Sequence, residues 1–206
     1  MSEAAGLIRI SAAREQGPSP SFSPAHFVLA FMIIGQSGTI GRQALAERAG
    51  LGGGSVRTVV KKLREEGLVR VIAAGCSLTG KGRAEYRRLA SRVTATVDVE
   101  GSQLALGKFQ SAIGVRGASA RVNHGIEQRD SAVRVGASGA ITYVFRDSKF
   151  TVPNGSKDCE RDFPGAIWKR LREELHPRND DVVIVSGAGD EIAAGLGAVS
   201  AALTLA

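Results

Sequence analysis

The sequence has little of what a disulfide-bonded or zinc-binding protein needs. Its two cysteines, Cys76 and Cys159, lie far apart, without a CxxC pair and without a histidine cluster beside either. Such sites are built from closely spaced cysteines and histidines. We therefore expect no disulfide scaffold, no metal and no cofactor, and we interpret Cys159 as incidental rather than nucleophilic.

A long apolar segment is missing as well. The longest apolar run, residues 27–34, is far too short to cross a bilayer. The first residues lack the basic-then-apolar pattern of a signal peptide. A cytoplasmic protein without a membrane partner is therefore expected. With 43% apolar and 23% charged residues, the chain has the composition of a globular protein of one or two domains.

Aspartate is absent from residues 1–92, which hold 14 basic residues against 6 glutamates, a net charge of +8. Residues 93–206 have 13 basic residues against 14 acidic ones, a net charge of −1. This asymmetry favours a polyanionic partner for the first half, most simply nucleic acid. The alternative is a basic surface that only aids solubility.

Residues 1–22 are predicted to be a flexible tail, because Gly17–Ser21 disfavours regular structure, although some helix between Glu3 and Arg14 is open. Ser23 and Pro24 then provide an N-cap and a first helical residue. The helix that follows is apolar nearly all round, which predicts a central place in a core.

A further helix up to Gly50, a glycine-rich turn and a third helix over Ser55–Glu66 follow. The third helix has its apolar residues at spacings that share one face. A short β-hairpin and a helix capped by Thr79 come next. Helix, helix, turn, helix, hairpin and helix form the order of a winged helix-turn-helix, which we assign to residues 23–92.

A helix-turn-helix reads DNA with its third helix in the major groove. Ser55, Arg57 and Thr58 occupy the first turn, where base edges are reached. Lys61, Lys62 and Arg64 lie further along and suit phosphates, although a solvated helix face is the plainer interpretation of the lysines alone. The remaining candidate DNA contacts are Arg42, Gln43, Arg70 and Lys81.

The segments Gly54–Val69 and Ser77–Gly82, the latter with a Leu-Thr-x-x-Gly pattern, resemble the recognition helix and wing of MarR- and ArsR-type regulators. The resemblance covers about residues 24–92. Residues 40–42 and Gly125–Asp130 carry a second resemblance. Through them the chain is also similar to archaeal winged-helix proteins that carry an uncharacterised C-terminal domain. The resemblance implies double-stranded DNA as partner, and we expect a homodimer.

Residues 100–206 are predicted to form a small mixed α/β domain, which makes the whole chain α+β. The last helix is expected over Asp190–Leu205, with an apolar stripe at Ile192, Leu196, Val199 and Leu203. Before it, Ser186–Gly189 joins a strand to a helix and can cradle a phosphate. It matches no nucleotide-binding motif, so a plain tight turn is favoured.

Four polar side chains fall within seven residues at the start of another predicted helix. His124, Glu127, Arg129 and Asp130 are therefore candidate effector-binding residues. The alternative is a solvated helix start, in which the acidic residues are favoured by the helix dipole.

These observations predict a sequence-specific DNA-binding transcription regulator with a C-terminal sensing or dimerisation domain. No catalytic triad, Cys-His pair or carboxylate pair is evident, so an enzyme is not expected. The alternative is an enzyme with an accessory winged helix and a nucleotide- or cofactor-binding C-terminal domain. A third class is an interaction module whose winged helix binds protein or RNA.

Overall fold

The computed structural model describes residues 5–12 and 22–206, and the chain is α+β. It divides into two compact units, Met1–Ala90 and Ser91–Ala206. The boundary falls slightly before the predicted one, because Val93 already bridges Val115 and the Gly114 amide donates to Thr94 Oγ1 at 2.8 Å. Residues 93–99 thus belong to the second unit.

The first unit contains five helices and a three-stranded sheet within the described residues. Its helices are α1 (Ala5–Ala12), α2 (Pro24–Ser37), α3 (Arg42–Ala49), α4 (Gly53–Glu65) and α5 (Gly80–Ala90). Its strands are β1 (Thr39–Ile40), β2 (Val69–Ile72) and β3 (Gly75–Leu78), paired antiparallel in the order β1-β3-β2.

The central helix of this unit is α2, as its apolar sequence predicted. All its residues from Phe27 to Ile34 are buried. The helix begins at the predicted N-cap, where Ser23 Oγ accepts from the His26 amide and the Ser23 amide donates to His26 Nδ1. Burial lowers the pKa of His26, which favours the neutral ring that this acceptor role requires.

The prediction of a flexible tail over residues 1–22 is wrong for residues 5–12, where the alternative of some helix is confirmed. These residues form α1, which packs against α2 and α4. Leu7 is 1% exposed, so the helix contributes to the core. An eight-residue helix is marginal on its own, and packing of this kind is what stabilises it. The rest of the predicted tail, apart from Phe22, lies outside the described residues.

The helix-turn-helix elements follow the predicted order. At the end of α3, Gly50 adopts the left-handed conformation (φ 64°), in which glycine has no steric cost. The apolar face of α4 is buried as its spacing predicted. At the start of α5, Thr79 Oγ1 accepts from the Gly82 amide at 2.9 Å, so Thr79 is the N-cap.

The second unit is a five-stranded antiparallel sheet with helices on both faces. Its strands are β4 (Val97–Val99), β5 (Phe109–Val115), β6 (Gly139–Arg146), β7 (Lys149–Thr151) and β8 (Asp181–Ala188), in the spatial order β4-β5-β8-β6-β7. Its helices are α6 (Ile126–Val133), α7 (Cys159–Asp162), α8 (Ile167–Leu175) and α9 (Glu191–Leu203), with a 3₁₀ turn at Ser119–Arg121.

The two faces of this sheet differ in character. One face is aromatic, where Tyr143, Phe145 and Phe150 pack with Trp168 and Leu171 around α8. The opposite face has small residues and is covered by α6 and α9. A Cβ on Gly197 of α9 would lie 2.3 Å from Ser186 Oγ, so glycine is what lets this helix approach the sheet.

The apolar stripe predicted for α9 is wrong at its first position. Leu196 and Val199 are buried, but Ile192 is 42% exposed. Gly197 packs over Ser186, and β8 ends two residues later at Ala188. Ile192 precedes Gly197 by more than one helical turn and so lies at the end of the strand, where little covers it.

Candidate nucleic-acid interface

Three cations share one exposed side of α4. Arg57, Lys61 and Arg64 are spaced i, i+4 and i+7, which puts them within an arc of about 60° on the helix. All three are exposed, while the opposite side of the helix carries the buried valines and Leu63. Lys61 lies 3.9 Å from Glu65, and its side chain is 49% exposed.

Lys62 was expected to contact phosphate, and the structure places it elsewhere. The residue is only 5% exposed, and its Nζ donates to the Ser11 carbonyl of α1 at 3.1 Å. On a helix it is turned by about 100° or more from each of the three exposed cations. The prediction that Lys62 belongs to the DNA-facing side is therefore wrong for this conformation.

Helix α4 begins at Gly53, two residues before the predicted start, and its first two turns offer fewer side-chain donors than predicted. Ser55 and Thr58 are half-buried, and Thr58 Oγ1 donates to the Gly54 carbonyl at 3.3 Å. This bond uses the hydroxyl proton and leaves the oxygen as an acceptor. Of the three predicted base-reading residues, Arg57 is thus the exposed one with several donors.

The N-terminus of α4 is bare of side chains. Gly52 is its N-cap and makes no side-chain capping bond, and Gly53 and Gly54 form its first turn. A Cβ at any of the three would meet nothing within 4 Å. The backbone there is open to solvent, which removes a steric barrier to close approach by a phosphate.

Arg42 and Gln43 begin α3, and both are exposed. Gln43 Nε2 donates to Glu47 Oε1 at 3.1 Å, one turn along the same helix. Burial raises the pKa of the Cys76 thiol in β3, and the charge of Arg42 lowers it in part. Ile40, two residues before Arg42, pairs with Cys76 near the tip of the hairpin, so the start of α3 lies beside that end of β3.

The two predicted residues at the wing base are held by their own unit. Arg70 Nε donates to Ser77 Oγ at 3.1 Å, across the hairpin. Lys81 Nζ donates to the Glu66 carbonyl at 2.7 Å, at the end of α4. Val71 and Ile72 nearer the tip are exposed and apolar. The wing therefore offers anchored cations at its base and no charge at its tip.

The four candidate effector residues do not form a pocket. Asn154 Nδ2 is hydrogen-bonded to His124 Nδ1, and Arg129 pairs with Asp130 at 2.9 Å on the surface. Glu127 is exposed in the first turn of α6. Between them, Gln128 points inward and donates to Thr204 Oγ1 at 2.6 Å. The polar cluster has the features of a solvated helix start.

The glycine-rich segment after the predicted strand does not form an open phosphate loop. Gly187 belongs to β8, pairs with Gln110 and Gly139, and would bring a Cβ within 1.9 Å of the Leu106 carbonyl. At the start of α9, Asp190 Oδ1 accepts from the Ala193 amide at 2.8 Å. A carboxylate thus occupies the helix N-terminus that a phosphate would need.

A cavity of about 510 Å³ in the second unit lies at another place. It is bordered by β4, the start of β5 and the start of α8, and carries charges of both signs from Asp98, Glu100, Lys108, Arg170 and Glu191. Its volume is in the range of small-molecule sites. No local sequence pattern predicted it, because its charged residues come from four separate segments.

The described residues also bear on metal binding, thiol reactivity and membrane insertion. Among them, no group of three or more His, Cys, Asp or Glu side chains is arranged to hold a metal ion. Burial raises the pKa of the Cys159 thiol, which disfavours the reactive thiolate. None of the helices in the described part of the chain has the length and apolarity to span a membrane.

Comparisons with known proteins give the following relations. Residues 106–205 match the model of a domain of unknown function (DUF4443). The chain is similar to a hypothetical protein from Pyrococcus horikoshii OT3, with 25% identity and a TM-score of 0.75 over 90% of this chain and 93% of that one. No curated protein matches.

A MarR family protein from Mycobacterium tuberculosis also matches, with 28% identity over 42% of this chain and 64% of that one, and a TM-score of 0.31. The Pyrococcus structure shares the α+β fold along nearly its whole length. The match to an uncharacterised domain confirms, at that level, what the sequence resemblance implied for the second half.

Proposed function

We propose that this protein is a DNA-binding transcription regulator whose first unit is a winged helix-turn-helix with α4 in the major groove. The observation that carries the proposal is the exposed row of Arg57, Lys61 and Arg64 on the side of α4 opposite its core. The net charge of +8 over residues 1–92 supports it. Phosphates attract such a surface irrespective of sequence, and base edges add the specificity.

Within this row the residues have different roles. Arg57 lies in the second turn from the bare N-terminus of α4, where a guanidinium can donate two hydrogen bonds to one guanine. Lys61 and Arg64 lie further along and neutralise phosphates. Arg42, Gln43, Arg70 and Lys81 are secondary contacts in this proposal.

We expect Arg57→Ala to weaken binding to the specific site by about 1–3 kcal/mol and to relax base preference at one position, because a bidentate contact to a base is lost. Fluorescence anisotropy with a panel of single-base variants of the site measures both effects. Arg161→Ala is the matched control, since it removes the same charge from an exposed residue of the second unit. Equal losses in the two variants would remove Arg57 from the base-reading role.

The proposal as a whole is tested by titrating the full chain with the DNA upstream of its own gene and with a scrambled duplex, at two salt concentrations. Tighter binding to the upstream duplex, weakening as salt rises, is the expected result. Absence of binding to both duplexes overturns the proposal and favours an interaction module or an enzyme with an accessory domain.

The second unit is proposed to sense a small effector or to join two copies of the chain, so that two α4 helices reach successive turns of the duplex. The cavity beside β4 supports the sensing role better than the exposed cluster at His124 does. The glycine-rich segment gives the enzymatic alternative little support, because Gly187 pairs within β8 and Asp190 caps α9.

A further inference from the structure

The buried side of α4 carries a feature that DNA contact does not explain. Lys62 is the one lysine or arginine that is buried within the described residues, and its ammonium donates to the Ser11 carbonyl at 3.1 Å. An ammonium removed from water is costly unless hydrogen bonds replace its hydration. A lysine at this position therefore needs α1 beside it.

The Ser11 carbonyl that accepts this hydrogen bond is well suited to a cation. Ser11 lies in the last turn of α1, where backbone carbonyls have no partner within the helix and where the helix dipole is negative. A buried cation there satisfies a carbonyl and complements the dipole. The carbonyl at the end of α1 thus replaces hydration of the Lys62 ammonium, and the ammonium provides that carbonyl with a hydrogen-bond donor.

Side chains of α1 itself also hold this helix against the rest of the first unit. Leu7 is 1% exposed and Ser11 is also buried, with its hydroxyl donating to the Ile8 carbonyl at 2.6 Å. Because an isolated helix of eight residues is marginal, α1 persists only while these contacts to α2 and α4 hold.

We propose that Lys62 is a positioning residue: it ties α1 to the flank of α4 and thereby fixes the direction in which Arg57, Lys61 and Arg64 point. This inference rests on the proposed DNA binding of the first unit. The contact leaves the row of cations open, because Lys62 lies on a different side of the helix. A brace at the flank restricts rotation of α4 without covering the face that meets DNA.

The adjacent lysines allow a matched test in the full chain. Lys62→Met keeps the length of the side chain and removes the ammonium, and Lys61→Met does the same on the exposed side. Without DNA, we expect the amides of α1 to exchange hydrogen about tenfold faster in Lys62→Met and at the wild-type rate in Lys61→Met, because only the first removes the hydrogen bond to the Ser11 carbonyl. This measurement is independent of DNA binding.

With DNA, Lys62→Met is expected to lower affinity several-fold with the salt dependence unchanged, and Lys62→Arg to restore affinity. Lys61→Met is expected to flatten the salt dependence by about one ion. Leu7→Ala loosens α1 from its other side and should reproduce the Lys62→Met loss with Lys62 intact.

Three outcomes overturn the inference. A salt dependence flattened by Lys62→Met as much as by Lys61→Met would make Lys62 a phosphate contact. Faster exchange in α1 with unchanged DNA affinity would show that the brace does not position α4. Unchanged exchange would show that Lys62 does not hold α1. If the wild-type protein binds no DNA, the proposed function fails. The hydrogen-exchange measurement then still decides whether Lys62 holds α1.

Discussion

Replacing Gly82 by alanine is expected to destabilise the first unit by about 3 kcal/mol or more. A Cβ on Gly82 would lie 1.9 Å from the Leu68 carbonyl oxygen, and this oxygen also accepts from the Thr79 amide at 3.0 Å. The obstacle is therefore backbone held by its own hydrogen bond, which has little freedom to move. The glycine of the Leu-Thr-x-x-Gly pattern is required by this contact between α5 and Leu68, which lies between α4 and β2.

The chain offers a matched control two residues away. A Cβ on Gly80 meets nothing within 4 Å, so Gly80→Ala should leave stability unchanged or raise it slightly. Urea unfolding followed by far-UV circular dichroism reports both units. Fluorescence of Trp168, the only tryptophan, reports the second unit alone and should be the same in both variants. Equal stabilities of the two alanine variants would contradict the proposed clash.

The second large effect is expected at Asp181, at the start of β8. Its carboxylate accepts from Arg116 Nη1 at 2.7 Å and from the amides of Gly117 and Arg178 at 2.9 and 2.8 Å. In Asp181→Asn an amide NH₂ group replaces one acceptor oxygen and the guanidinium loses its counter-charge. We expect a loss of about 3 kcal/mol, the lower end for a broken buried pair, because the Arg116 side chain is 27% exposed.

Trp168 fluorescence during urea unfolding measures this loss directly. Asp180→Asn is the matched control, since Asp180 also pairs with an arginine, Arg146, but is exposed to solvent. It should shift the unfolding midpoint little, because exposed ion pairs contribute little to stability. Similar shifts in the two variants would mean that the Arg116 contact is no more than a surface pair.

The predictable parts of this protein are those fixed by local pattern. The 3–4 spacing of Val56, Val59, Val60 and Leu63 determined the buried face of α4, and Gly50 and Thr79 marked helix ends through their own backbone and side-chain chemistry. Periodicity and capping are properties of neighbouring residues, so a sequence reveals them without tertiary information.

The parts that escaped prediction depend on distant partners. Nothing next to Lys62 distinguishes it from Lys61. Its burial follows from a contact with α1, 51 residues away in sequence. The sequence left a helix open in that stretch but did not indicate where such a short helix packs. Strand β4 was also not predicted, because its three residues are too few to show a pattern without their pairing with β5. The cavity beside it draws its lining from separate segments, which no local pattern joins.

The central position of β8 in its sheet affects the order in which the chain folds during synthesis. Strands β5 and β6 do not pair with each other; both pair with β8, and Phe109 meets Ala188 only 79 residues later. Until β8 leaves the ribosome, the second unit can form only two separate strand pairs, β4 with β5 and β6 with β7. The edges of β5 and β6 that face β8 remain unpaired. The first unit can complete its core from residues already made. Helix α4 is thus formed while the sheet of the second unit is still incomplete, and completing that sheet is a slow step governed by long-range pairing.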